Sequence, residues 1–192
     1  MSTIIQRIQN SLSKEGLQVR TNAARSWLQA KAKNLNPTSD NLMQNRQRLT
    51  DNTIIGKMYF FYYDPKTKDS LPYYDRFPLV IPIDQYPDGF LGLNLHYIHP
   101  RERIILLDKL SSTLNNKNYD ATTKFRINYS YLSSASKVYE TKACIKKYLF
   151  RNIDSKFLQI TADEWDIAAF LPVENFQKAS KQKVFAESRK KY

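Results

Sequence analysis

Cysteine is nearly absent. Cys144 stands alone in 192 residues, so no intrachain disulfide can form and a reducing compartment is expected. Glycine is almost as scarce: Gly16, Gly56, Gly89 and Gly92 are the full set. They form neither G-x-G-x-x-G nor G-x-x-x-x-G-K-[ST], which excludes the familiar nucleotide-binding loops. Histidine is limited to His96 and His99. Read as part of a strand, these two face opposite sides and cannot share an ion, and only Cys144 remains as a further soft ligand; no metal or other cofactor is expected. No apolar run reaches about eighteen residues, so neither a membrane span nor a membrane partner is expected. The N-terminal MSTIIQRIQNSL lacks the continuous apolar stretch and cleavage site of a secretory signal.

Negative charge is also short, with 18 Asp and Glu against 30 Lys and Arg, a formal net of +12. That balance suits an anionic partner, either nucleic acid or an acidic protein surface. The excess is segregated. Residues 1–57 hold nine basic and three acidic residues, residues 172–192 hold six and two, and the middle is nearly balanced at fifteen and thirteen. Hydrophobic residues make up 42% of the chain, enough for a packed core. The pattern divides the chain into a basic helical arm at 1–57, an α+β body at 58–171 and a basic C-terminal helix at 172–192.

Hydrophobic periodicity predicts helices in the first segment: one carrying Ile4, Ile5, Ile8 and Leu12, one over 23–34 capped by Asn22, and a short third after Asn36-Pro37 with Thr38, Ser39 or Asp40 as cap. All are short and need a partner surface to be stable. From Lys57 the texture becomes strand-like. MYFFYY, FPLVIPI and FLGLNLHYI predict three antiparallel strands separated by the turns DPKTKD and YPDG. Pro78 and Pro82 place the middle one at an edge or at a bulge. An open meander and a small barrel fit equally. Helices follow from Pro100, around Phe125, Tyr129 and Leu132, and over 143–150. FLQI reads as a strand, Thr161 with Glu164 as a capping box before Trp165, and VENFQKASKQKVFAESRKKY as a basic amphipathic helix. The fold class is therefore α+β: a small three-stranded, aromatic-rich sheet packed by helices, with basic helical extensions at both ends.

The stretch from Lys57 to Pro82 raises a functional question because of its ring content. Alternation puts Tyr59, Phe61 and Tyr63 on one face and Phe60 and Tyr62 on the other. One face could stack bases; the plainer reading covers both faces and uses the rings as core. Tyr73 and Tyr74, in a Pro- and Asp-flanked loop, are the exposed candidates for stacking. Asp64, Asp69, Asp75, Asp84 and Asp88 cluster at turns, where aspartate serves turn geometry; no spacing among them singles out a two-metal nuclease site. Cys144 with a histidine is no better as a nucleophile pair, since ACIKKY reads as a packing position. No catalytic residue is expected. Candidate phosphate contacts are Arg20, Arg25, Lys31, Lys33, Arg46 and Arg48 in front, and Lys178, Lys181, Lys183, Arg189, Lys190 and Lys191 behind.

YFFYYDPKTKDSLPYYDRFPLVIPI, GFLGLNLHYI, KACIKKYL, ITADEWDIAAFLPVENF and RSWLQAKAKNL together resemble the DNA end protector, or head completion, proteins of T-even-like tailed bacteriophages. The resemblance spans most of the chain. It implies a non-enzymatic virion protein, present in the host cytoplasm during assembly, that binds the end of packaged double-stranded DNA near the portal and shields it from exonucleases. It also implies contact with portal, neck or tail subunits and several copies per particle. The alternative is a neck, tail-terminator or baseplate adaptor whose basic arms clamp neighbouring subunits.

Overall fold

The computed structural model describes residues 3–114 and 142–190. The helix expected around Phe125, Tyr129 and Leu132 lies outside them, as does Lys191. At the N-terminus the periodicity holds. Helix α1 (Ile4–Lys14) opens on a capping box made by Thr3 and Gln6, and its buried face is Ile4, Ile5, Ile8 and Leu12. Helix α2 (Asn22–Lys31) is capped by the Thr21 side chain rather than by Asn22, and α3 (Ser39–Met43) by Thr38. The surface these short helices need is supplied by the rest of the chain: their buried residues belong to the same apolar cluster as Met58, Phe60, Leu79 and Ile167.

The sheet is twice the expected size. Six strands lie in the order β1-β7-β2-β4-β5-β6, with every ladder antiparallel. They are β1 (Leu49–Thr50), β2 (Met58–Phe60), β4 (Leu79–Tyr86), β5 (Gly89–Asn94), β6 (Ile145–Leu149) and β7 (Phe157–Ile160). A second, two-stranded sheet pairs β3 (Tyr74–Asp75) with β8 (Phe176–Gln177). The three-strand expectation fails in three places: β6 was read as a helix, β1 is a two-residue strand too short to show a period, and β7, read as a strand, was not placed in the sheet, where it pairs with both β1 and β2. Pro82 of β4 resolves to a bulge, while Pro78 lies just before the strand. The strand is central, between β2 and β5, and its register slips between Pro82 and Asp84; the missing N–H is tolerated where the ladder is already interrupted.

Both faces of β2 are covered. Met58 and Phe60 enter the main core, while Tyr59 and Phe61 join Tyr63, Val80, Phe90, Tyr148 and Phe157 in a second, largely aromatic cluster. The ring centroids of Phe61 and Tyr148 are 5.2 Å apart, although their neighbouring strands β2 and β6 are separated by two others. In a flat sheet those strands would lie about 14 Å apart at the backbone, so the sheet curls around its rings. The covered-face reading of the tyrosine-rich stretch is the observed one.

Other elements shift. FLGLNLHYI ends as a strand at Asn94, whose side chain accepts the His96 N–H and opens a 3-10 turn over Leu95–Tyr97. Helix α4 (Pro100–Leu114) starts at its proline as expected. Thr161 and Glu164 form the capping box ahead of α5 (Trp165–Phe170). The C-terminal segment is helical only over α6 (Lys181–Lys190), because Phe176 and Gln177 are drawn into β8.

Candidate nucleic-acid interface

The basic residues of the N-terminal segment fall into two kinds. Arg25, on α2, bridges Asp166 of α5, 2.7 Å from Nε to Oδ2, and Asp108 of α4 through both guanidinium Nη atoms. Its hydrogen bond to Asp108 raises its pKa further above an already basic value. Arg48 pairs with the buried Glu164, and Arg20, at φ 68°, donates to the Ala162 carbonyl at 2.6 Å. These three fasten the helices to the body. Lys31 and Lys33, at the end of α2 and in the following turn, and Arg46, before β1, are exposed; none makes an ion pair among the described residues. Exposed Arg7 and Lys14 on α1 are equally unpaired there.

At the other end Lys181 meets Glu174 at 2.7 Å, Arg189 meets Glu102 at 2.7 Å, and Lys183 sits a loose 3.9 Å from Glu187 one helical turn on. Lys190 is the last residue of α6. Lys178 donates to the carbonyls of Lys68, Asp69 and Leu71 at 2.6, 3.0 and 3.3 Å, holding the loop after β2.

The turn aspartates have positive partners or local roles. Asp64 pairs with Lys68 and Arg76, both at 2.8 Å; the hydrogen bond to Lys68 leads in holding its pKa below the usual carboxylate range. Asp84 accepts from Gln85 N and Tyr86 Oη, and Asp88 pairs with Lys147. Asp75 is buried. It accepts the N–H groups of Phe77 and Asn175 and the Asn94 amide, and lies 2.7 Å from His96 Nδ1. His96 thus belongs to an internal network, while His99 packs edge-on to Phe185. No cluster of three metal-ligating side chains occurs among the described residues, nor does any helix there have the length and apolarity to cross a membrane.

Tyr73 and Tyr74 differ from expectation and from each other. Tyr73 is 8% exposed, because its ring packs 6.0 Å from Tyr97; Tyr74 remains half-exposed on β3. Both line a cleft of about 420 Å³ between the loop after β2, β3, β5 and β6. Burial, helped by the Glu187 carboxylate, pushes the Tyr73 hydroxyl up to about 12, and burial raises Tyr63, Tyr97 and Tyr148 as well, so the rings stay neutral. Lys66, Lys146 and Lys147 edge the cleft; the sequence reading missed them. KKYLF carried the signal, but reading it as a helix hid lysines that a strand delivers beside a tyrosine.

Neither the curated proteins nor the solved structures contain a match to this chain. One family model does match, that of the Phage T4 terminal DNA protecting protein, and it covers residues 3–191. With that match spanning nearly the whole sequence, the chain belongs to the Phage T4 terminal DNA protecting protein family.

Proposed function

We propose that the protein binds the end of packaged double-stranded DNA in the virion through phosphate contacts, without reading sequence and without cutting, and so keeps exonucleases from the terminus. The observation that carries this reading is a set of exposed cations outside the internal ion pairs: Lys31, Lys33 and Arg46 have no ion pair among the described residues. Phosphates would supply the counter-charge. The family supports the terminus as the target. The commitment of Asp64 and Asp75 to ion pairs and backbone N–H groups supports binding over hydrolysis, since neither carboxylate is left for a metal. In this reading several copies sit against portal, neck or tail subunits and complete the head, with Lys183, Lys190 and Lys191 facing DNA or those neighbours, while Lys178, Lys181 and Arg189 are taken up by partners within the chain.

The test is digestion of a linear duplex by a processive exonuclease with and without the purified protein. Protection that rises with protein and fades with salt is expected. Absence of both binding and protection at low salt would move the reading to a clamp between virion subunits. Magnesium-dependent cutting abolished by Asp64→Ala or Asp75→Ala would make the protein a nuclease.

A further inference from the structure

Phosphates are the same along the whole of a duplex, so cations alone cannot tell an end from a middle. A contact that only an end can offer is required, and the tyrosine-lined cleft has the form of one. We propose that this cleft takes the base of a single unpaired nucleotide at the DNA terminus; the proposal rests on the DNA-end reading above.

Four observations carry it. At about 420 Å³ the cleft is in the range of small-molecule pockets, too small for a duplex. Its back is built of rings, Tyr73 and Tyr97 buried against each other at 6.0 Å and tilted by 34°, and half-exposed Tyr74 beside them offers the accessible ring. Every base has a π-face, so an accessible ring can take any base. Its rim is cationic. Exposed Lys66 has no ion pair among the described residues, and the Lys146 ammonium stands 4.5 Å from the Tyr97 ring centroid, positions suited to the phosphate that follows a stacked base. Finally, one lip is already fixed, since Lys178 ties the carbonyls of Lys68, Asp69 and Leu71, so little conformational freedom need be lost on binding.

The floor decides what is not read. Asn94 donates to Asp75 and accepts from the His96 N–H, while Asp75 is committed to Phe77, Asn175 and His96. Polar atoms already satisfied by the protein have little left for a base edge. The cleft therefore sorts paired from unpaired, not one base from another. An end suits it, because unstacking costs least for a base that is already single-stranded.

The experiment compares full-length protein on two DNAs of the same sequence: a linear duplex with a one-nucleotide overhang and the same duplex closed by hairpins at both ends. The open DNA is expected to bind about tenfold tighter, the effect of one stacked base, whichever base forms the overhang. Tyr74→Ala should abolish that preference while changing the affinity for closed DNA less than twofold, and Tyr74→Phe should keep it. A measurement on the unaltered protein guards against a misfolded variant. 2-Aminopurine in the overhang should lose emission on binding, and the same analogue deep inside the duplex should not. Equal binding to open and closed DNA overturns the inference while leaving phosphate binding intact, and so does a Tyr74→Ala loss shared by both. Failure to bind either DNA at low salt defeats the DNA-end reading itself, and the cleft proposal with it.

Discussion

Among the described residues Arg103 is the largest fully buried side chain, and each nitrogen of its guanidinium is engaged: it donates to the carbonyls of Ile98, Ala169 and His96 and meets Glu174 at 2.7 Å. Lys181 reaches the other Glu174 oxygen at 2.7 Å. Burial by itself would raise the Glu174 carboxyl, but Arg103, His96 and Lys181 outweigh it and hold the pKa at about 2. Because the folded value lies below the usual carboxylate value, the unfolded chain binds the proton more tightly. The stabilisation is therefore complete above about pH 4.5 and is lost as pH falls toward 2. A shift of this size corresponds to about 3 kcal/mol. Glu174→Gln should lower the unfolding free energy by about that amount at pH 7, since it leaves a buried guanidinium without its counter-charge. The gap between the two proteins, read from urea midpoints, should close between pH 5 and pH 2. A gap independent of pH would mean that packing, not charge, accounts for the loss.

Among the elements, β5 and β6 hold the cleft together, and Gly89 sets how closely they approach. A Cβ there would sit 2.0 Å from the Tyr148 carbonyl oxygen, a backbone atom that cannot swing aside. Gly89→Ala should cost about 2 kcal/mol in a denaturant titration and speed amide exchange along β6, taking Lys146 and Tyr148 out of place; unchanged β6 exchange would show that the strand is held from elsewhere. Sequence reasoning could see β5, with its alternating leucines, and the helices whose apolar faces repeat at 3.6 residues, such as Ile4, Ile5, Ile8 and Leu12. From the missing donor at Pro82 it could offer an edge or a bulge, of which the fold takes the bulge. It could not see β3 pairing with β8, because Tyr74 and Phe176 lie far apart in the chain and two residues carry no period. It took 143–150 for a helix with Cys144 on its apolar side; pairing of Ile145–Leu149 with Gly89–Leu93 makes it a strand instead. The candidate stacking pair was half legible. The loop chemistry around Tyr73 and Tyr74 was visible, and the burial of Tyr73 against Tyr97 was not.

Across the whole molecule, a net charge of +12 counts every cation equally, but the fold does not. Arg25 lies between Asp108 and Asp166 with a side chain only 13% exposed. Lys31, Lys33 and Arg46 stand in solvent. From sequence these residues were the same kind of site, since spacing along a helix does not reveal which face finds a carboxylate brought from more than eighty positions away. The two kinds should separate in one assay. Each lysine or arginine that neutralises a phosphate adds about 0.9 to the slope of log affinity against log salt on duplex DNA. Replacing Lys31, Lys33 and Arg46 together by glutamine should therefore lower that slope by about 2.7 and leave the melting temperature nearly unchanged. Arg25→Gln should do the reverse: it breaks a largely buried pair, costing about 3 kcal/mol of stability, while the folded fraction keeps the slope of the unaltered protein. If the triple variant retained the full slope, the DNA-facing surface would have to be sought elsewhere, beginning with Arg7 and Lys14 on α1, which are exposed and unpaired among the described residues.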